Sequence, residues 1–96
     1  MKQEIDIQAL KPLFEAGGVS YAGVFGSFAR GEATESSDLD LLIRLERPLS
    51  LLQLIRFERE LSEHVGRDVD LVTEDSLSPL LRDEVMNDIR TIYEKG

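Results

Sequence analysis

Apolar residues recur along the chain with two different spacings, and the alternation between them predicts the order of the elements. In some segments apolar side chains return every three or four positions, which is the spacing of one helix face. Between these segments stand short runs rich in Val, Ile, Leu, Phe and Tyr, which are typical of strands. The predicted helices cover residues 4–15, 28–30, 51–65 and 76–88, and the predicted strands cover residues 19–25, 38–45, 69–73 and 89–93.

Residues with strong backbone preferences mark the ends of these segments. Gly17-Gly18 ends the first helix, and Ser50 is a suitable N-cap for the third. Pro12 predicts either a kink in the first helix or a new start at Lys11. Ser78-Pro79 fits an N-cap followed by proline at the first helical position. The last segment is compatible with a helix tail, but Thr91-Ile92-Tyr93 favours a strand.

This order predicts an α/β or α+β domain in which one small sheet is covered by helices on a single face. The other sheet face would stay open to a substrate. The length of 96 residues indicates one domain over residues 1–96.

Acidic residues on two of the predicted strands are the first candidates for chemistry. On a strand that begins at Asp38, Asp38 and Asp40 share one face, about 7 Å apart at their Cα atoms. Asp70 has the same setting on the next strand and would join them if the two strands pair. Such carboxylates repel one another unless a cation lies between them. Mg²⁺ suits them because it binds one or two carboxylates together with substrate phosphates, and three acids can hold two such ions.

The turn after the first strand is a candidate phosphate site. Gly26 allows a close backbone approach, and Ser27 stands where a short helix would present its first N–H groups. Considered alone, the pair is better explained by a simple helix cap. The position of Asp38 and Asp40 at the expected distance along the chain reverses this preference. Arg30 has two interpretations, a bidentate contact to a triphosphate or an ion pair with Glu32.

Composition excludes several other classes of site. The chain has no cysteine, which rules out disulfides and thiolate metal centres, and it has one histidine, His64, which a helix C-terminus explains without catalysis. The net charge of −8 argues against tight binding to nucleic acid. No apolar run is long enough to span a bilayer, and the N-terminus lacks the apolar core of a signal peptide. These features predict a cytoplasmic protein.

Gly26-Ser27, Asp38-x-Asp40 and the later Asp70 together resemble the signature of the polymerase-beta-type nucleotidyltransferase superfamily. The longer string from Gly26 through Ile43 is similar to its smallest members, the minimal nucleotidyltransferases or MntA-like antitoxins. The resemblance implies a mixed antiparallel sheet in a nucleotidyltransferase fold. It also implies ATP bound at Gly26, Ser27 and Arg30, with two Mg²⁺ ions held by Asp38, Asp40 and Asp70.

The same resemblance implies a partner, because a single domain leaves no room for an acceptor-binding domain. That partner would be a HEPN-type toxin, an RNase silenced when AMP is transferred to its tyrosine. Two alternatives stay open: an antitoxin that neutralises by binding alone, and a nucleotidyltransferase that modifies a small hydroxylated compound.

Overall fold

The computed structural model describes residues 6–95 and has a four-stranded sheet with four α-helices and one 3-10 helix in that range. Their order is the predicted one, so the α+β fold class is confirmed. That residues 1–96 form a single domain stays a prediction. The elements are α1 (Ile7–Ala16), β1 (Val19–Phe25), α2 (Ser27–Arg30), β2 (Leu39–Leu45), α3 (Leu51–Val65), β3 (Val69–Thr73), a 3-10 helix (Glu74–Ser76), α4 (Pro79–Asp88) and β4 (Arg90–Glu94).

The sheet is mixed, with strand order β3-β2-β1-β4. Strand β1 pairs antiparallel with both β2 and β4, whereas β2 and β3 run parallel. A parallel pair needs a crossover connection, and α3 supplies it. Because β2 and β3 run in the same direction, both begin at one end of the sheet, which is the end that carries the predicted acids.

The main core lies between the sheet and the helices α1 and α3. Alternate residues of β2, namely Leu39, Leu41 and Ile43, are fully buried on this face. Phe14 of α1 packs edge-on against Phe57 of α3, with ring centroids 6.5 Å apart. Burying a large apolar side chain contributes about 1.5–3 kcal/mol, so this face is the main source of stability.

Element boundaries differ from the predictions by a few residues. Strand β2 starts at Leu39, one residue after Asp38, and the final strand spans Arg90–Glu94. The first helix begins at Ile7, and the predicted start at residues 4 and 5 lies outside the described residues. Pro12 stands inside this helix, which continues past it to Ala16, so the helix does not begin anew at Lys11.

Helix α4 is the exception to the expectation that the helices cover one face. Met86 of α4 lines a cavity of about 150 Å³ together with Tyr21 and Leu42, which lie on the acid-bearing face. Leu42 is accordingly only 2% exposed, although it shares its strand face with Asp40. The alternation along β2 correctly predicted that Leu42 lies on this face. It did not predict that helix α4 covers Leu42. The acid-bearing face is therefore open at one end and covered further along.

Candidate active site

The turn from β1 into α2 lies directly against the first acidic strand. Phe25, the last residue of β1, pairs with Asp40 of β2. Gly26 follows with φ of 74°, a conformation that side chains rarely adopt. A Cβ atom at Gly26 would overlap the carboxylate of Asp40. The glycine is therefore required both by its backbone angle and by its contact with this acid.

Ser27 occupies the first position of α2, and Gly26 is the N-cap. Because Gly26 and not Ser27 is the N-cap, Ser27 does not cap this helix. The helix then closes at Gly31, whose N–H bonds to the carbonyl oxygens of Phe28 and Ser27. Ser27 thus follows directly after the glycine that lies against Asp40.

The register of the parallel pair brings the acids together. Asp40 and Asp70 are direct Cα partners across β2 and β3, so their side chains leave the same face of the sheet. Asp38 lies two positions before Asp40, on the approach to β2. Asp38 and Asp70 are exposed and Asp40 is half-buried. All three predicted acids therefore lie at one end of the sheet.

The pKa of Asp40 reflects the proximity of the other two acids. Partial burial raises the pKa of the Asp40 carboxyl above its usual value, and the charges of Asp70 and Asp38 raise this pKa further. The positive charge of Arg30 acts in the opposite direction and lowers the pKa. A divalent cation at this position would relieve the repulsion among the three carboxylates.

Replacing Asp40 by asparagine should stabilise the protein in the absence of nucleotide and metal. Because the folded-state pKa of Asp40 is raised, its ionised form costs stability, and that cost is present at neutral pH. The gain should be on the order of 0.5 kcal/mol, a small value because the side chain is partly solvated, or about 2–4 °C in melting temperature. Thermal melts at pH 7 measure it.

The gain should vanish as the pH falls below the ordinary pKa of aspartate, where the wild-type carboxyl is protonated in both states. Asp75→Asn is the matched control, because Asp75 is exposed and follows the far end of β3. A lower melting temperature for Asp40→Asn at pH 7 would contradict the electrostatic description.

The oxygen donors of the three acids fit Mg²⁺, but they do not form a finished cage. Over residues 6–95, no group of three His, Cys, Asp or Glu side chains stands ready to hold a metal ion. The all-oxygen donor set and the raised pKa of Asp40 suit a hard divalent cation.

Arg30 pairs with two carboxylates in this structure. Its Nε donates to Oε1 of Glu32 at 3.0 Å, and its Nη1 donates to Oδ2 of Asp88 at 2.8 Å. These hydrogen bonds raise the pKa of Arg30 and keep it charged. The predicted pairing with Glu32 is therefore present. Within the described residues no hydrogen bond involves the Nη2 atom of Arg30.

The contact between Arg30 and Asp88 was not anticipated from the sequence. Asp88 is the last residue of α4, and nothing local connects it to the turn after β1. Gly23 was missed in the same way: a Cβ atom there would lie 2.6 Å from Cγ1 of Ile89, the residue that follows α4. Only a signal from long-range packing could have revealed either residue.

Two features predicted or found elsewhere lie outside this cluster. His64 stands in the last turn of α3, where Nδ1 is 3.1 Å from the carbonyl oxygen of Glu60, in agreement with a structural role.

A cavity of about 380 Å³ is lined by Ile43, Leu45 and Thr73, at the end of β2 and β3 away from the acids. The volume of this cavity alone does not make it the active site, because the three clustered carboxylates lie at the opposite end of β2 and β3.

The sequence profile of the nucleotidyltransferase domain family matches residues 7–92. The chain belongs to this family. The match confirms the resemblance carried by Gly26-Ser27, Asp38-x-Asp40 and Asp70. None of the helices within residues 6–95 has the length and apolar character needed to cross a bilayer.

Two relatives of this nucleotidyltransferase show close similarity over most of its length. MJ0435 of Methanocaldococcus jannaschii, named as a candidate protein adenylyltransferase, is 43% identical over 77 residues, which cover 80% of this chain and 83% of that protein. The protein adenylyltransferase MntA of Thermococcus cleftensis is 43% identical over 79 residues, which cover 82% of this chain and 80% of MntA.

Solved structures show the same fold. A structure described as a candidate minimal nucleotidyltransferase is 36% identical, with a TM-score of 0.73, 93% of this chain and 98% of that chain covered. A toxin–antitoxin complex with AMP-PNP has a TM-score of 0.84 at 20% identity, with coverage of 95% and 75%. A tri-AMPylated HEPN toxin of Shewanella oneidensis in complex with its MNT antitoxin has a TM-score of 0.73 at 19% identity, with coverage of 93% and 70%.

Proposed function

We propose that this nucleotidyltransferase is an antitoxin that transfers AMP from ATP to a tyrosine hydroxyl of a HEPN-type partner toxin and so neutralises it. The pairing of Asp40 with Asp70 beside Gly26 is the observation that carries the proposal. The names of the relatives support it, because MntA of Thermococcus cleftensis is a protein adenylyltransferase. Structures of the same fold include an antitoxin bound to an AMPylated HEPN toxin.

The residues divide into a phosphate end and an acidic end. Backbone N–H groups after Gly26, the hydroxyl of Ser27 and the Nη2 edge of Arg30 hold the β- and γ-phosphates of ATP. Asp38 and Asp40 would hold one Mg²⁺ ion, and Asp70 would share a second with them. Bound there, Mg²⁺ supplies charge neutralisation at the phosphates of the nucleotide.

The reaction is a displacement at the α-phosphorus. The tyrosine oxygen of the toxin forms a bond to this phosphorus, and the bond from phosphorus to the oxygen bridging to the β-phosphate breaks. Asp70 lies at the exposed side of the acid cluster and accepts the phenolic proton. The products are pyrophosphate and a toxin carrying an AMP phosphodiester.

The acidity of the chain agrees with this assignment. A net charge of −8 disfavours tight binding to nucleic acid and favours a basic protein partner such as an RNA-binding toxin. A partner that degrades cellular RNA would act in the cytoplasm, and we infer the same location for the antitoxin.

Purified HEPN-type toxin incubated with the antitoxin and α-labelled ATP tests the function. Label should enter the toxin, at tyrosine, and the RNase activity of the toxin should fall in step. ATP with a methylene group between the α- and β-phosphorus atoms is the control, because that bond cannot be cleaved in the transfer. Neutralisation that proceeds equally with this analogue would overturn the enzymatic proposal.

Arg30→Lys should raise the KM for ATP about tenfold while changing kcat less, because lysine replaces a planar fork by a point charge. Lysine also cannot keep both carboxylate contacts, to Glu32 and Asp88, in the same geometry. Steady-state kinetics of label transfer measure the effect. Arg56→Lys on α3 is the control, since Arg56 is exposed on the opposite side of the sheet; equal effects of the two changes would contradict the phosphate role.

A further inference from the structure

Helix α4 leaves most of its surface without cover from the rest of the described chain. Val85 is its only fully buried residue, whereas Leu80 is 92% exposed and Leu81 is 52% exposed. A helix of ten residues has marginal stability from propensity alone and usually depends on packing. Leu51 and Leu52 of α3 are exposed as well, so exposure alone does not select α4. What distinguishes α4 is that its last residue contacts Arg30 beside the acids.

Helical periodicity organises the exposed side of α4. At 100° per residue, Leu80, Leu81, Glu84 and Asp88 fall within an arc of about 100°, and the buried Val85 borders this arc on the side of Leu81. We call these four residues the outer strip. It begins with two leucines and ends in two acids.

The outer strip leads to the proposed active site. Asp88, its last member, accepts a hydrogen bond from Nη1 of Arg30 at 2.8 Å. Arg30 in turn acts electrostatically on Asp40. The helix is about 15 Å long, at 1.5 Å per residue. A partner that lies along the strip therefore reaches the acid cluster at one end.

We propose that the outer strip is the docking surface for the acceptor protein. This inference rests on the proposed function and adds the place where the toxin binds. The strip calls for a partner surface with an apolar patch followed by Lys or Arg side chains that meet Glu84 and Asp88. The acceptor tyrosine then lies beyond the Asp88 end of the helix, next to Asp40 and Asp70.

Charge distinguishes this partner from a second copy of the chain. Two copies of the chain each carry a net charge of −8 and would repel one another on association. A basic partner would instead be attracted to the acidic end of the strip.

The test compares two pairs of exposed leucines. Leu80→Ala/Leu81→Ala removes the apolar part of the strip, and Leu51→Ala/Leu52→Ala is the matched control on α3, where these residues are 75% and 58% exposed. Calorimetric titration with purified HEPN-type toxin, without ATP, should show at least about 30-fold weaker binding for the first variant and less than about threefold for the second. Alanine is a strong helix former, so both variants should retain wild-type circular dichroism.

Transfer kinetics provide a second measurement. The strip variant should show a raised KM for the toxin, an unchanged kcat at saturating toxin and an unchanged affinity for ATP. Equal binding losses in both leucine variants, or none in the strip variant, would overturn the docking surface. A concentration-dependent dimer of the wild type that Leu80→Ala/Leu81→Ala abolishes would overturn it in favour of a second copy. A wild type that binds the toxin through the strip but transfers no AMP would instead reject the proposed function.

Discussion

Asp70→Asn should slow AMP transfer to the toxin at least about a thousandfold while leaving the affinity for MgATP within about threefold of wild type. The reason is the division of work among the acids. In the proposed mechanism, Asp38 and Asp40 would hold the metal that accompanies the nucleotide, whereas Asp70 would contribute to the second ion and to removal of the proton from the attacking hydroxyl. Asparagine has the same shape as aspartate, so the Cα pairing with Asp40 should persist.

Label incorporation from α-labelled ATP and equilibrium binding of MgATP provide the two measurements. The double variant Asp38→Asn/Asp40→Asn should lose both AMP transfer and MgATP binding. Asp75→Asn, which is remote from the acid cluster, should retain both. Preserved transfer with lost MgATP binding in Asp70→Asn would contradict the assigned role. If the double variant neutralises the toxin as well as wild type does, neutralisation works by binding alone.

Gly26→Ala should lower transfer at least about a hundredfold and destabilise the fold by about 1–3 kcal/mol. Two separate causes act together. Alanine is strained at φ of 74°, and its Cβ would overlap the carboxylate of Asp40. Relief of that overlap must move either Asp40 or the turn that presents Ser27, and displacement of either changes the site.

Gly31→Ala separates these two causes. Gly31 closes α2 at φ of 73°, but a Cβ atom there would meet nothing within 4 Å. It should therefore show a smaller loss of stability, which comes from backbone strain alone and is measured by urea unfolding, with transfer reduced much less. If both substitutions reduced transfer equally, the contact between Gly26 and Asp40 would not matter for catalysis.

The strands and most of the helices could be predicted because their signals are local. Val19–Phe25 and Val69–Thr73 match the predicted strands residue for residue, since a β-branched or apolar run bounded by glycine or polar residues is a property of a few neighbours. The final strand, Arg90–Glu94, was less clear because its residues also suit a helix tail. There the pairing with β1 decided the outcome.

Helix α4 shows the limit of local reasoning. Its N-cap Ser78 and its first residue Pro79 agree with the sequence pattern, although the predicted helix began at Ser76. The face of the sheet that it covers does not follow from that pattern. Its apolar residues are scattered around the helix, so periodicity marks no dominant buried side. Contacts of Asp88 with Arg30 and of Ile89 with Gly23 place it on the acid-bearing face.

The sequence by itself determined the element order, the shared strand face of Asp40 and Leu42, and the turn at Gly26-Ser27, because period-two alternation and glycine conformation depend only on adjacent residues. Tertiary structure alone decided that Asp70 lies opposite Asp40 and that Gly26 touches this acid. Strand register and crossover depend on which apolar faces pack together, and those contacts join segments that are distant along the chain. The charge cluster of the site arises from that packing.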